Sequence, residues 1–262
     1  MFTSIWRHKQ LIATLTRREV LGRYRGSVLG VLWSFVLPVF MLAVYTFVFS
    51  VVFRARWNEQ SESRTEFALI LFAGLLVFNL FSECVNRAPH LILQNQNYVK
   101  KVVFPLEILP LISFGVALFH TLVSYLVWQL FFCIMFGWPN ATVALFPLVL
   151  LPLGLLTLGL SWALAALSVY LRDIVQLVTV LTTVLLFMSP IFYPVSALPK
   201  VYQNAMHLNP LAAPIDYARD VLMFGQVPSV DGWALLTGVS LVAAWIGFAC
   251  FQKLRDGFAD VL

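Results

Sequence analysis

From Ile108 to Leu171 the chain runs 64 residues without one Asp, Glu, Lys or Arg. A soluble domain within 262 residues has too little interior to hide that much uncharged, mostly apolar chain, so the solvent of this stretch is lipid. Across the whole sequence 61% of residues are apolar and 11% are charged, which makes it an all-α, polytopic integral membrane protein. The length suits one membrane domain over 1–262 and leaves no room for a separate soluble one. No cleavable signal peptide is expected, because residues 1–27 are polar and basic and the apolar run after them is too long.

A helical crossing needs about 20 apolar residues. Val28–Phe53 supplies one, with Pro38 as an expected kink, and Phe67–Ser82 a shorter one. The uncharged stretch is too long for one crossing and breaks at Gly137-Trp138-Pro139-Asn140, giving spans near 111–136 and 143–171. Ile174–Tyr193 and Gly232–Gln252 complete six transmembrane helices over 28–252, followed by a tail at 253–262.

Basic residues decide the orientation. With the N-terminus inside, the inner segments hold twelve Lys and Arg and the outer ones five. The first outer loop also offsets Arg54, Arg56 and Arg64 with Glu59, Glu62 and Glu66. Both termini are therefore expected in the cytoplasm. No repeat points to two inverted halves. Cys84, Cys133 and Cys250 lie far apart in or beside apolar runs and read as inert buried thiols, with no metal-ligand spacing.

Three segments resist assignment as simple spans. In residues 5–27, Ile5, Leu11, Ile12 and Leu15 share one helix side while Lys9, Gln10, Thr16 and Arg17 share the other, the pattern of an amphipathic helix at the inner interface. Gly22, Gly26 and Gly30, four apart, would let helices approach closely. The basic cluster is either plain inside anchoring or a grip on an anionic lipid headgroup or diphosphate. The link Glu83–Pro110 holds Pro89, His90, Leu91, Ile92 and Leu93 before Asn95 and Asn97, a short apolar helix that either docks on another protein or packs on its own bundle. Ser189–Asp231 carries six prolines yet is apolar, which fits short re-entrant helices in the outer half of the membrane.

Arg17-Arg18-Glu19-Val20-Leu21-Gly22-Arg23-Tyr24-Arg25-Gly26-Ser27, running on into Trp33-Ser34, resembles the lead-in to the first span of polysaccharide-export permeases of ABC transporters, the type-two exporter family. Asn97-Tyr98-Val99-Lys100-Lys101-Val102-Val103-Phe104-Pro105, Tyr170-Leu171-Arg172-Asp173-Ile174, Ser189-Pro190-Ile191-Phe192-Tyr193 and Asn209-Pro210-Leu211 follow in the family's order, so the resemblance covers nearly the whole chain. Among its members it is most similar to O-antigen exporters.

The resemblance implies a homodimeric half-transporter in a bacterial inner membrane, driven by two separate ATP-binding cassette subunits that hold the ATP and magnesium. Its cargo would be a glycan on undecaprenyl diphosphate, with no nucleic acid partner. The residues agree on one point: no GxxxxGK[ST] loop is present, so no ATP hydrolysis and no bound cofactor are expected of this chain. Under this resemblance Arg17, Arg18, Arg23 and Arg25 would recognise the lipid diphosphate. Pro89, His90, Leu91, Ile92, Leu93, Asn95 and Asn97 would couple to the ATPase subunit. Trp33, Phe40, Tyr45, Phe49, Phe187 and Tyr193 would line the glycan path, although each also suits lipid-facing packing. Pro190, Pro194, Asn209, Pro210, Asp216 and Arg219 would form an outer gate, Asp216 and Arg219 also having the spacing of a local ion pair. His120 alone in an apolar span reads as a satisfied core histidine. Capsule, teichoic acid or a hydrophobic drug are the alternative cargoes, and a membrane enzyme acting on polyprenyl-linked sugars or a passive channel the alternative classes.

Overall fold

The computed structural model describes residues 6–52, 64–101, 104–206 and 208–262, which are helix, turn and irregular chain without a strand. Ile5, Phe53, Arg54, Arg56, Glu59, Glu62, Val102 and Val103, all used in the reading above, lie outside the described residues.

Helix α1 spans Lys9–Arg23. After it the chain bends at Gly26 and Gly30, whose φ values of 86° and 53° belong to the left-handed region that a Cβ disfavours. These glycines therefore serve a turn rather than the helix approach expected of them, and a Cβ at Gly22, Gly26 or Gly30 would meet nothing within 4 Å. Helix α2, Trp33–Tyr45, contains Pro38 without ending there, and continues as a π-helical turn over Thr46–Val52.

Helix α3, Arg64–Arg87, is the centre of the bundle. Every residue from Phe67 to Phe78 is buried, as in a helix surrounded by helices. It is longer than the expected Phe67–Ser82, because it begins at Arg64 and because Glu83, Asn86 and Arg87 stay inside the helix. A 3₁₀ turn at Ala88–His90, α4 (Leu91–Gln94) and α5 (Gln96–Lys101) link it to α6, Leu109–Phe136. Pro110 suits the first turn of α6, where no intrahelical donor is needed. Gly137, with φ 84°, ends that helix at the expected break.

Helix α7 covers Phe146–Tyr170 and α8 Ile174–Met188. Ser189-Pro190 stops α8 short of the expected Tyr193. Short helices α9 (Lys200–Met206) and α10 (Ala212–Arg219) follow, then a π-helical turn at Asp220–Phe224. The long α11 (Val230–Arg255) and the short α12 (Phe258–Val261) close the described chain.

Among the described residues five helices are long and apolar enough to cross a membrane, and α8 is a sixth apolar helix of 15 residues. Helices α7 and α11 cross where a Cβ on Gly159 would lie 2.6 Å from the Ala243 carbonyl oxygen, so only glycine fits there.

Two apolar clusters fix which segments share an end. Leu11, Ile12 and Leu15 of α1 pack with Leu91 and Ile92 of the link and with Phe251 and Phe258 near the C-terminus. Helix α1 and the C-terminal residues thus lie at one end together with the α3–α6 link. At the opposite end the hairpin 189–229 folds back on the bundle, with Thr142 donating to the Val221 carbonyl at 2.8 Å. Helix α8 runs between these ends. Next to its start, Tyr170 donates to the Leu254 carbonyl at 2.8 Å, and at its finish Asn209 binds the Met188 carbonyl at 3.1 Å. Cys84 is buried as expected, whereas Cys133 is exposed on α6.

Candidate functional site

Helix α1 climbs α6. Thr16 packs against Gly115, where an added Cβ would come within 2.8 Å of the Thr16 methyl carbon, and the Tyr24 hydroxyl lies 3.1 Å from His120 Nε2. The same face reaches α3. Glu19 pairs with Arg87, and Arg23 with Glu83 at 2.7 Å. Glu19 and Arg23 are one turn apart on α1, as are Glu83 and Arg87 on α3, with the acid preceding the base in both. The two helices therefore meet as a reciprocal, antiparallel pair of ion pairs.

Arg23 and Tyr24 converge with Glu83 on His120. His120 Nδ1 lies 2.9 Å from Arg23 Nη1 and 3.3 Å from both Glu83 carboxylate oxygens. Burial pushes the Tyr24 phenol up, against the pull of Arg23, so it stays a neutral hydroxyl. His120 is thus no isolated core residue but the hub of a charged cluster.

Beside the hub lies a cavity of about 320 Å³ between α3 and α6, lined by Asn79, Ser82, Glu83 and Asn86 from one helix and His120, Thr121 and Ser124 from the other. Apart from His120, sequence reasoning missed these residues: Glu83 and Asn86 because it ended the span at Ser82, and Asn79, Ser82, Thr121 and Ser124 because hydropathy reads them only as interruptions within spans. The available signal was the spacing of 79, 82, 83 and 86, which is one helix face.

The four arginines divide. Arg17, Arg18 and Arg25 border an open depression with Thr14, Leu21 and Gly22 on the α1 face turned away from the bundle, while Arg23 turns inward to Glu83. The open face concentrates positive charge with no acidic residue among its lining.

In the link, Pro89, Leu91 and Ile92 are buried within this chain, and the Pro89 carbonyl accepts from Ser168 at 2.8 Å. Asn95 donates to the Leu91 carbonyl at 2.8 Å, closing α4. His90 and Leu93 are half-buried, leaving Gln94, Gln96 and Asn97 as the exposed tip.

Of the six aromatic residues considered for a path, three gather at one place. Phe49 and Phe187 both stack on Phe192, with ring centroids 6.3 and 6.0 Å away, and Tyr193 donates to the Phe187 carbonyl at 3.2 Å. Phe192 was not among the residues picked from sequence. Tyr45 packs, half-buried, on the main apolar cluster, and Trp33 and Phe40 are exposed on α2, outside this group.

The hairpin is fastened from within. Arg219 is 2% exposed; its Nη2 donates to the Ile191 carbonyl at 2.7 Å and its Nε to the Ile70 carbonyl at 3.4 Å. Asp216 lies 3.6 Å from the same guanidinium. Burial pulls Arg219 down to about 10, so it remains charged at neutral pH, and pushes Asp216 up to about 6. Asn209 donates to the Met188 carbonyl and to Ser189 Oγ while accepting from the Leu211 amide at 2.9 Å. Pro190 is buried beside this knot, Pro194 starts the next 3₁₀ turn and Pro210 is exposed. No cluster of metal-ligating side chains occurs among the described residues. The arrangement offers hydrogen bonds and charge along a helical bundle, closed at one end by a hairpin and flanked at the other by a cationic helix.

Comparison with known proteins gives that arrangement a family. The family of ABC-2 type transporter membrane proteins matches residues 10–223. The O-antigen export system permease protein RfbA of Myxococcus xanthus is 31% identical over 259 residues, 98% of this chain and 96% of that protein. An O-antigen export system permease protein RfbA of Klebsiella pneumoniae is 25% identical over 96% of this chain and 95% of its own length. The polysialic acid transport protein KpsM of Escherichia coli is 26% identical over 95% of each. With the match running nearly end to end, across both termini and the hairpin, the chain belongs to the ABC-2 type transporter family of membrane permeases.

Proposed function

We propose that this chain is the membrane subunit of an ATP-driven exporter that carries a polyprenyl-diphosphate-linked polysaccharide, of the O-antigen class, out of the bacterial cytoplasm. The observation that carries the reading is the near-complete alignment with O-antigen export permeases, which extends over 98% of the chain. In this reading residues 1–262 form one membrane domain with six crossings, α8 being the short one, and the end bearing both termini faces the cytoplasm. Two copies enclose the path, and two separate cassette subunits bind ATP and magnesium.

Several features support particular roles. The open cationic face of Arg17, Arg18 and Arg25 suits a lipid diphosphate at the inner headgroup level. Arg23 joins that role only when it leaves Glu83. The link 89–97 faces the ATPase subunit through Gln94, Gln96 and Asn97, while Leu91 and Ile92 transmit its movement to the bundle. Phe49, Phe187 and Tyr193 offer ring faces for sugars at the far end of the path, below a gate made by the Arg219 and Asn209 knot.

Deleting the gene tests the proposal: surface O-antigen should vanish while lipid-linked glycan accumulates inside, and native but not Arg17→Glu/Arg18→Glu/Arg25→Glu protein should restore it. Unchanged surface glycan in the deletion strain sinks the reading. The similarity to polysialic acid transport proteins favours a second reading, a capsule cargo, in which the deletion would strip capsule and leave O-antigen intact.

A further inference from the structure

Polar groups at membrane depth cost several kcal/mol when unsatisfied, so a concentration of them marks a place for a polar occupant. Following the buried stretch Phe67–Phe78 of α3, Asn79, Ser82, Glu83 and Asn86 form such a stripe, and Thr121 and Ser124 of α6 line the same cavity of about 320 Å³. Part of the demand is met within the chain. Thr121 donates to the Ala117 carbonyl and Thr182 to Asn86 Oδ1, each at 2.9 Å, and Glu83 is held by Arg23. The Asn79 amide and the Ser124 hydroxyl have no protein partner among the described residues and open into the cavity.

We propose that this cavity is a sugar subsite, taking one neutral sugar unit of the exported glycan through hydrogen bonds from its hydroxyls to Asn79 and Ser124. The inference rests on the export reading and goes beyond the aromatic residues considered for the path. Three observations select the occupant. The lining is polar on both walls, which disfavours a lipid tail. Glu83 repels an acidic sugar, and its pairing with Arg23 at 2.7 Å leaves no uncompensated carboxylate for a cation. The volume falls within the range of small-molecule sites, and paired amide and hydroxyl groups suit vicinal hydroxyls. Helix α1 is the lid, because Arg23 and Tyr24 reach onto Glu83 and His120, which line the cavity.

The test uses the chain in complex with its ATPase subunits in lipid nanodiscs. ATPase stimulation is measured with undecaprenyl diphosphate bearing one N-acetylhexosamine and with bare undecaprenyl diphosphate. In Asn79→Leu/Ser124→Val the extra stimulation due to the sugar should fall about tenfold, as two lost hydrogen bonds imply. The response to bare lipid should persist and so report a folded complex, and Asn79→Gln/Ser124→Thr should keep most of the sugar response. A double variant that answers both lipids like the native complex, or loses both responses equally, overturns the subsite. A native complex deaf to both lipids overturns the export reading, and the subsite with it.

Discussion

At the hairpin end the bundle is fastened by one cation, Arg219, which is 2% exposed and donates to backbone carbonyls of two different segments. At the end bearing α1 and the C-terminus the fastening among the described residues is three ion pairs, Glu19–Arg87, Arg23–Glu83 and Glu107–Arg255, each with at least one side chain more than a quarter exposed. The difference is one of reversibility. Releasing a buried guanidinium strands carbonyls away from water, whereas partly exposed ion pairs contribute at most about 1 kcal/mol each and exchange readily with water or phosphate. Under the proposed orientation the hard joint lies at the exit and the soft joints where the motor and cargo arrive.

The largest effect should come from the hard joint. Arg219→Ala removes the donor for the Ile191 and Ile70 carbonyls and should cost about 3–5 kcal/mol, read as a lower thermal midpoint in detergent. Arg219→Lys should recover little, since one ammonium cannot match the geometry of the guanidinium fork. A midpoint equal to native for Arg219→Ala would erase the contrast between the ends.

Asn209→Ala comes next, at about 1–2 kcal/mol, because it loses the bonds to Met188, Ser189 and Leu211; hydrogen exchange should rise in the hairpin and not in α1. At the soft end, Glu19→Arg should cost about 0.5–1 kcal/mol and adding Arg87→Glu should return most of it, a coupling that a double-mutant cycle measures directly. No restoration in the double variant would remove the reciprocal pairing from the account. Smallest of all, raising salt from about 0.1 to 1 M shortens the screening length from about 10 to about 3 Å. It should speed exchange in α1 slightly and leave the hairpin unchanged.

Hydropathy made the helices legible but not their partners. The break at Gly137 and the spans either side of it were readable, because an uncharged run must be cut into membrane-sized pieces and glycine beside proline marks where. The last turn of α3 was not, because Glu83, Asn86 and Arg87 look like a loop to a hydropathy window even though they continue the helix. The arginines were singled out as one group. Only three-dimensional contact separates Arg23, held by Glu83 sixty residues onward, from the open face of its neighbours. Phe192 sat unnoticed inside a motif read for its prolines, and Gly26 and Gly30 had a helical spacing that the chain spends on a bend.

Helix α8 has only 15 residues, a rise of about 22 Å at 1.5 Å per residue against a hydrocarbon thickness of about 30 Å. Its exposed side carries Leu177, Val180, Val184 and Phe187, so in the proposed six-crossing arrangement that mismatch would be absorbed by the surroundings. Lipid touching α8 would then be drawn thinner, or water would dip toward its ends. Either way, the oily layer would be narrowest along this helix, and a headgroup obliged to change leaflets would meet its lowest dielectric barrier there.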